Sequence, residues 1–275
     1  MITGIPPFVL RSHDQLTSSE QLTRKEQVEN LKDDEFIEEY DNPFGPTIKR
    51  VRMSNSLLDR WIKCTDEAII NRANANNTLV GEIENEFKIS HNLLEKYNLQ
   101  NYVLNVVKDY VVYCLKRTQY GDGTLIDDTK VHMGAFWVNS MQEGEYNPIH
   151  MHPGCTISST MFLKIPGYDL RKSTGMKSRI GTGHTDGRLE MIHNCANSLT
   201  LETGTFRVNP LPGDMYIWPS TLLHTVYPYL GSGERRSVAF NATHLLPTET
   251  LYDQPHIASY NKRYDKGVQV VGEAL

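Results

Sequence analysis

From Thr129 onward the apolar pattern of this 275-residue chain changes period, and that change narrows the folds open to it. Short runs rich in Val, Ile, Thr, Phe and Trp alternate there with Gly, Pro and Asn. They fall at Lys130–Asn139, Thr156–Lys164, Arg188–His193, Gly204–Val208, Met215–Trp218, His224–Tyr229 and Arg235–Thr243. About seven short strands at this spacing predict a sandwich or barrel, not a parallel sheet. Gly231-Ser232-Gly233-Glu234 predicts a hairpin turn joining the last two.

Before Thr129 the spacing is helical. Ser54-Asn55-Ser56 can cap a helix whose apolar positions include Leu57, Leu58, Trp61, Ile62, Ala68 and Ile69. Ser90-His91-Asn92 marks a second start, and Asn101 to Leu115 carries a third apolar face. The expected class is α+β: a jelly-roll core with a helical N-terminal half packed on it. The expected organisation is an acidic, flexible segment over 1–42, a helical region over 43–129, the β core over 130–248 and a C-terminal tail over 249–275.

Charge limits the partners. Between Glu26 and Asp41 eight acidic residues stand against Lys32 alone, which reads as a solvated tail. The rest of the chain is near neutral and leaves no electrostatic footprint for nucleic acid. No run approaches 18 apolar residues, so no membrane span is expected. Cys64, Cys114, Cys155 and Cys195 contain no CxxC pair, so neither a disulfide framework nor a zinc motif is expected. Isolated thiols and the absence of a secretory signal predict a cytoplasmic protein.

Two stretches can carry chemistry. In Asn147-Pro148-Ile149-His150-Met151-His152-Pro153, residues two apart in an extended segment share a face, so His150 and His152 present two imidazoles to one point. Imidazole suits iron, zinc or copper, though a surface loop with two histidines reads the same way. In the second stretch His224 is followed eleven residues later by Arg235-Arg236-Ser237. Arg235, Ser237, Ala239 and Asn241 would share one strand face, with Arg236 on the other. A guanidinium aimed into a barrel wants a carboxylate or phosphate; a surface arginine pair on an edge strand is the plainer alternative.

Taken together, Trp137-Val138-Asn139, Asn147 to Gly154, Ser158, Pro212-Gly213-Asp214, Trp218-Pro219-Ser220, His224-Thr225-Val226 and Arg235 to Asn241 resemble the 2-oxoglutarate- and iron(II)-dependent oxygenases. The likeness is greatest to a group from bacteria and their phages that carries an HxH motif, and it covers roughly 130–244. The resemblance implies a double-stranded β-helix with Fe(II) at its mouth, 2-oxoglutarate as cosubstrate and O2 as oxidant, acting in the cytoplasm of the cell or of a phage's host. It implies His150 and His224 as metal ligands, and Arg235 and Ser237, with Asn139, as residues that bind the cosubstrate.

The chain departs from the family at two places. His152 stands where the common acidic ligand would be and is expected to be the third metal ligand, with a carboxylate from Asp186 or Asp214 as the rival. Ser158 to Phe162 stands where relatives often carry a glycine and two tyrosines. Neutral imidazoles are required for binding, so metal affinity should fall below about pH 6.

Two other classes remain: a three-histidine cupin-type metal protein that uses no keto acid, and a non-catalytic jelly-roll scaffold. Arg235 and Ser237 argue against the first, the clustered histidines against the second. The substrate is unspecified. Trp137, Asn139 and the Gly167–Arg188 connection are expected to wall its entry, and that connection carries a formal charge of +3 that would favour an acidic or phosphorylated substrate.

Overall fold

A computed structural model of the chain describes residues 29–31, 35–41, 45–76, 79–117, 129–166, 187–193, 204–229 and 231–245. Its elements, in order, are β1 (Phe36–Asp41), β2 (Ile48–Met53), α1 (Asn55–Asn71), β3 (Glu86–Ile89), α2 (His91–Lys96) and α3 (Gln100–Arg117). There follow β4 (Lys130–Met141), β5 (Asn147–His150), β6 (Ile157–Lys164), β7 (Leu189–Ile192), β8 (Thr205–Val208), β9 (Asp214–Pro219), β10 (Leu223–Val226) and β11 (Arg235–Leu245). A seven-stranded sheet runs β1-β2-β9-β6-β11-β4-β3, and a four-stranded sheet runs β5-β10-β7-β8. The pairings are antiparallel, and the two sheets build the double-stranded β-helix.

Alternation along the strands sorts residues between two cores. On the outer face Val138, Met161, Met215, Val238 and Phe240 pack with Leu57, Trp61, Val103 and Val107 of the helices. On the inner face Met141, Phe162, Tyr216 and Trp218 meet Leu189, Met191, Phe206 and Val226 of the smaller sheet. Each large side chain so buried contributes roughly 1.5–3 kcal/mol. The helix signals hold: Ser54 Oγ accepts from Leu57 N at 3.2 Å, and Ser90 Oγ accepts from Leu93 N at 3.3 Å.

The structure corrects three expectations. His224–Tyr229 and Arg235–Thr243 do not form a hairpin: β10 pairs with β5 and β7, whereas β11 pairs with β4 and β6. The turn at Gly231–Glu234 therefore crosses between sheets, which turn residues alone cannot distinguish from a hairpin. The region 43–129 is not purely helical, since β2 and β3 lie within it as strands of the larger sheet. Nor is the acidic segment solvated throughout. Residues 36–41 form β1, an edge strand paired with β2 over its whole length.

The reason is electrostatic. β2 reads Ile48-Lys49-Arg50-Val51-Arg52-Met53, and all six residues are buried. Lys49 bonds Glu38 at 2.6 Å, Asp109 at 2.7 Å and the Val106 carbonyl at 3.1 Å. Glu39 pairs with Arg50 and, at 3.0 Å, with Arg52. The acidic run thus supplies counter-charges that buried cations need. Residues 1–28, the 249–275 tail and most of the Gly167–Arg188 connection lie outside the described residues.

Replacing Glu38 and Glu39 together with Gln should cost about 2–4 kcal/mol of stability, read as a lower urea midpoint at unchanged slope. A solvated tail would give a change within about 0.5 kcal/mol.

Candidate metal centre

His150 and His224 stand directly opposite each other in the β5–β10 pair. His152 lies just beyond β5, its N–H donating to the Ser220 carbonyl at 3.0 Å. This bond keeps the segment extended past the strand end, so the period-two alternation that aligns His150 and His152 is preserved. The nearest ligand atoms of the three lie within 4.8 Å of one another. His152 Nε2 and His224 Nε2 are 3.2 Å apart. Two nitrogens bound to one ion at about 2.1 Å and 90–110° would be about 3.0–3.4 Å apart, so the spacing fits a shared metal.

Backbone carbonyls orient the rings. Nδ1 of His150 sits 2.7 Å from the Pro148 carbonyl, and Nδ1 of His224 sits 2.9 Å from that of Leu222. A carbonyl can only accept, so Nδ1 carries the proton and the Nε2 lone pair faces the triad. Burial, reinforced by the neighbouring rings, holds His152 down to about 3 and His224 well below the ordinary imidazole value. Burial also lowers His150. The three are neutral donors at neutral pH, as metal binding requires.

Aromatic groups wall the triad. Trp137 stacks on His152 at 5.9 Å between ring centroids, and Trp218 meets His224 edge-on at 5.0 Å. Trp137 is packed with Ala75, Ala239 and Leu79. Cys155 lies three residues past His152 with its sulfur 3.5 Å from the His152 carbonyl, and burial pushes its thiol up to about 11. Met151, between the two histidines, is exposed.

Deeper on the inner face Arg235 is 1% exposed. Its Nε donates to the Gly187 carbonyl at 2.9 Å, a terminal nitrogen lies 3.4 Å from Ser237 Oγ, and the guanidinium covers Phe162. Ser237 faces Asn139 across the β4–β11 pair, and Asn139 faces Glu86 across β3–β4. Side chains directly opposite share a face, so Glu86, Asn139 and Ser237 form one inner row. Arg236 turns outward as expected and pairs with Asp66 at 2.5 Å and with Glu234 at 2.6 Å.

The sequence candidates therefore gather in two groups, His150 and His224, with His152 just beyond, on the four-stranded sheet, and Arg235, Ser237 and Asn139 on the inner face of the seven-stranded sheet. Asp214 does not join them: it accepts from Leu211 N at 2.9 Å and lies 3.7 Å from Arg52 Nε. Asp186 lies outside the described residues. Sequence reasoning missed Trp218 as a wall of the site, although Trp218-Pro219 had marked the end of a strand. It also missed Glu86, which stands close to Glu82 and Glu84 in the sequence.

Residues 135–241 match the family model described as "Putative 2OG-Fe(II) oxygenase". No curated protein matches the sequence. Among solved structures, a prolyl hydroxylase from Trichoplax adhaerens, in complex with a hypoxia inducible factor peptide fragment, is similar at 14% identity and a TM-score of 0.46, over 84% of this chain and 95% of that one. A Pseudomonas putida prolyl-4-hydroxylase is similar at 11% identity and a TM-score of 0.45, over 71% and 92%. HygX from Streptomyces hygroscopicus, with nickel and 2-oxoglutarate bound, is similar at 9% identity and a TM-score of 0.44, over 71% and 82%. Residues 135–241, which hold the three histidines, Arg235 and Ser237, are the part of the chain that is similar to the 2OG-Fe(II) oxygenase family.

Proposed function

We propose that the chain is an Fe(II)- and 2-oxoglutarate-dependent dioxygenase, a hydroxylase that couples decarboxylation of 2-oxoglutarate to succinate with oxidation of a second substrate. The observation that carries this reading is the convergence of three neutral imidazoles on one point of the smaller sheet, with a buried guanidinium on the inner face of the larger sheet. When bound, iron(II) and 2-oxoglutarate supply activation of O2.

The protein's part is placement. His150, His152 and His224 would hold the metal. The Pro148 and Leu222 carbonyls keep two of the rings in the binding tautomer. Arg235 would take the distal carboxylate, with Ser237 beside it; the rigid fork of a guanidinium fits a carboxylate in two-point contact, which lysine cannot copy. Trp137 and Trp218 cover one side of His152 and of His224. No described helix is long and apolar enough to cross a membrane. A cytoplasmic location accords with the free thiols of Cys64, Cys114 and Cys155. The neutral triad also suits a three-histidine site that uses no keto acid. Anaerobic addition of Fe(II) and 2-oxoglutarate separates the readings, because only a chelated keto acid gives a weak visible charge-transfer band.

Metal analysis should find about one iron per chain, and His224→Ala should carry none. His152 and His224 stay neutral well below the ordinary histidine value, and His150 is lowered too, so iron should be retained at pH 5.5. Loss of iron near pH 6 would show imidazoles of ordinary basicity. The metal-free chain behaves differently: below about pH 6.5 the unfolded state takes up protons that the buried rings refuse, so its Tm should fall between pH 7 and pH 5.

Arg235→Ala should weaken 2-oxoglutarate binding by at least an order of magnitude, in line with about 2–5 kcal/mol for a broken buried charge pair, and leave iron binding intact. Arg236→Ala should do the reverse, lowering Tm through loss of Asp66 and Glu234 while 2-oxoglutarate affinity holds. Equal effects of both changes on affinity would show that the face assignment of β11 is wrong.

A further inference from the structure

The inner row that runs from Ser237 through Asn139 ends on a carboxyl group at the sheet edge. Glu86 is 1% exposed, yet its Oε2 has no hydrogen-bond partner among the described residues. The same is true of Oδ1 of Asn139, which faces it across the strand pair. An unpaired buried carboxylate is costly, and burial, with Glu145 adding to it, pushes Glu86 up to about 7. Two acceptors without a hydrogen bond thus lie on residues directly opposite each other on one face.

The position of Glu86 relates it to the histidine cluster. A Cβ placed on Gly81 would come 2.4 Å from Asn147 Oδ1 and 3.0 Å from Glu86 Oε1, so Gly81, Glu86 and Asn147 are in close contact. Asn147 opens β5, the strand that carries His150. On the other side, Trp137 stands two residues before Asn139 on the same face of β4 and stacks on His152.

The surroundings are strongly acidic. Glu82 and Glu84 are exposed just before Glu86, as is Glu143 on the neighbouring segment. The two segments are joined by Glu82 N–H to the Tyr146 carbonyl at 2.9 Å and by Glu84 N–H to Glu145 Oε1 at 2.8 Å. Lys88 is the single cation among residues 79–88 and 141–152.

We propose, building on the oxygenase reading, that Glu86 and Asn139, the latter thereby assigned to the substrate and not to 2-oxoglutarate, form a subsite that grips a positively charged amino or guanidinium group of the substrate. Glu82, Glu84, Glu143 and Glu145 form its acidic approach. A cation satisfies both orphaned acceptors and supplies the charge partner that Glu86 lacks. The acidic rim raises the local concentration of such a substrate and repels anions at this edge. This reverses the acidic or phosphorylated substrate suggested by the charge of the Gly167–Arg188 connection.

The test is calorimetric titration of the anaerobic chain loaded with Fe(II) and 2-oxoglutarate, with agmatine as probe because it carries both an ammonium and a guanidinium. Agmatine should bind saturably and more weakly as salt rises, whereas 1,5-pentanediol and O-phosphoserine should not bind. Glu86→Gln, of the same shape, should keep or raise Tm and weaken agmatine at least tenfold. Glu145→Gln should weaken it two- to threefold and flatten the salt dependence. If Glu86→Gln does not fold, Glu86→Met must show the tenfold loss instead. The subsite is overturned if agmatine fails to bind the wild type, if the folded Glu86 variant binds it as well as the wild type does, or if O-phosphoserine binds in its place. The keto-acid band of the same sample reports separately on the oxygenase reading. A band without agmatine binding overturns only the subsite, and absence of the band overturns the oxygenase reading.

Discussion

β11 is hydrogen-bonded along both edges, to β4 and to β6, and this double pairing decides which of its side chains face the cavity. A slip of one residue would exchange Arg235 and Ser237 for Arg236 and Val238. The slip is opposed from both sides. Val238 and Phe240 are fully buried against the helices, and Arg236 is tied outward by Asp66 and Glu234. An apolar core and an ion-paired arginine therefore fix the direction of the other arginine. The same alternation on β4 aims Trp137 and Asn139 inward, so one register places both the wall beside His152 and the groups around Ser237.

The histidine site depends on a much smaller unit. β5 has four residues and pairs with β10 alone, yet it positions His150 and leads directly into His152. The Pro148 carbonyl and the Ser220 carbonyl do for this short segment what a long ladder does elsewhere. Pro148 has no N–H to donate, but its carbonyl is the acceptor that sets a histidine tautomer.

The core strands, the helix starts and the three histidines were legible in the sequence because each rests on local rules: period two, capping hydroxyls, and same-face spacing. The separation of β10 and β11 into different sheets was not, because a Gly-rich turn constrains chain direction and says nothing of the partner. β1 and β2 were missed because their alternation is written in charge. Lys49, Arg50 and Arg52 are buried, and a reading that sends charged residues to solvent discards the strand. Glu86 was hidden for the same reason. In both places long-range pairing or an orphaned group overrules the usual cost of burying charge, and neither can be seen in a short window.

The sulfur chemistry beside the histidines has a consequence for the durability of such a protein. Oxygen-activating centres damage their own surroundings when turnover misfires, and thiolates react fastest. Cys155, close as it is, is held as a buried thiol and is poorly reactive. Met151 is the opposite case: it points out of the same short segment with an exposed thioether. Oxidative wear would register first as methionine sulfoxide at position 151, a reversible lesion on the outer side of β5. The irreversible sulfur acids at Cys155, which would split the packing beneath His152, would be spared.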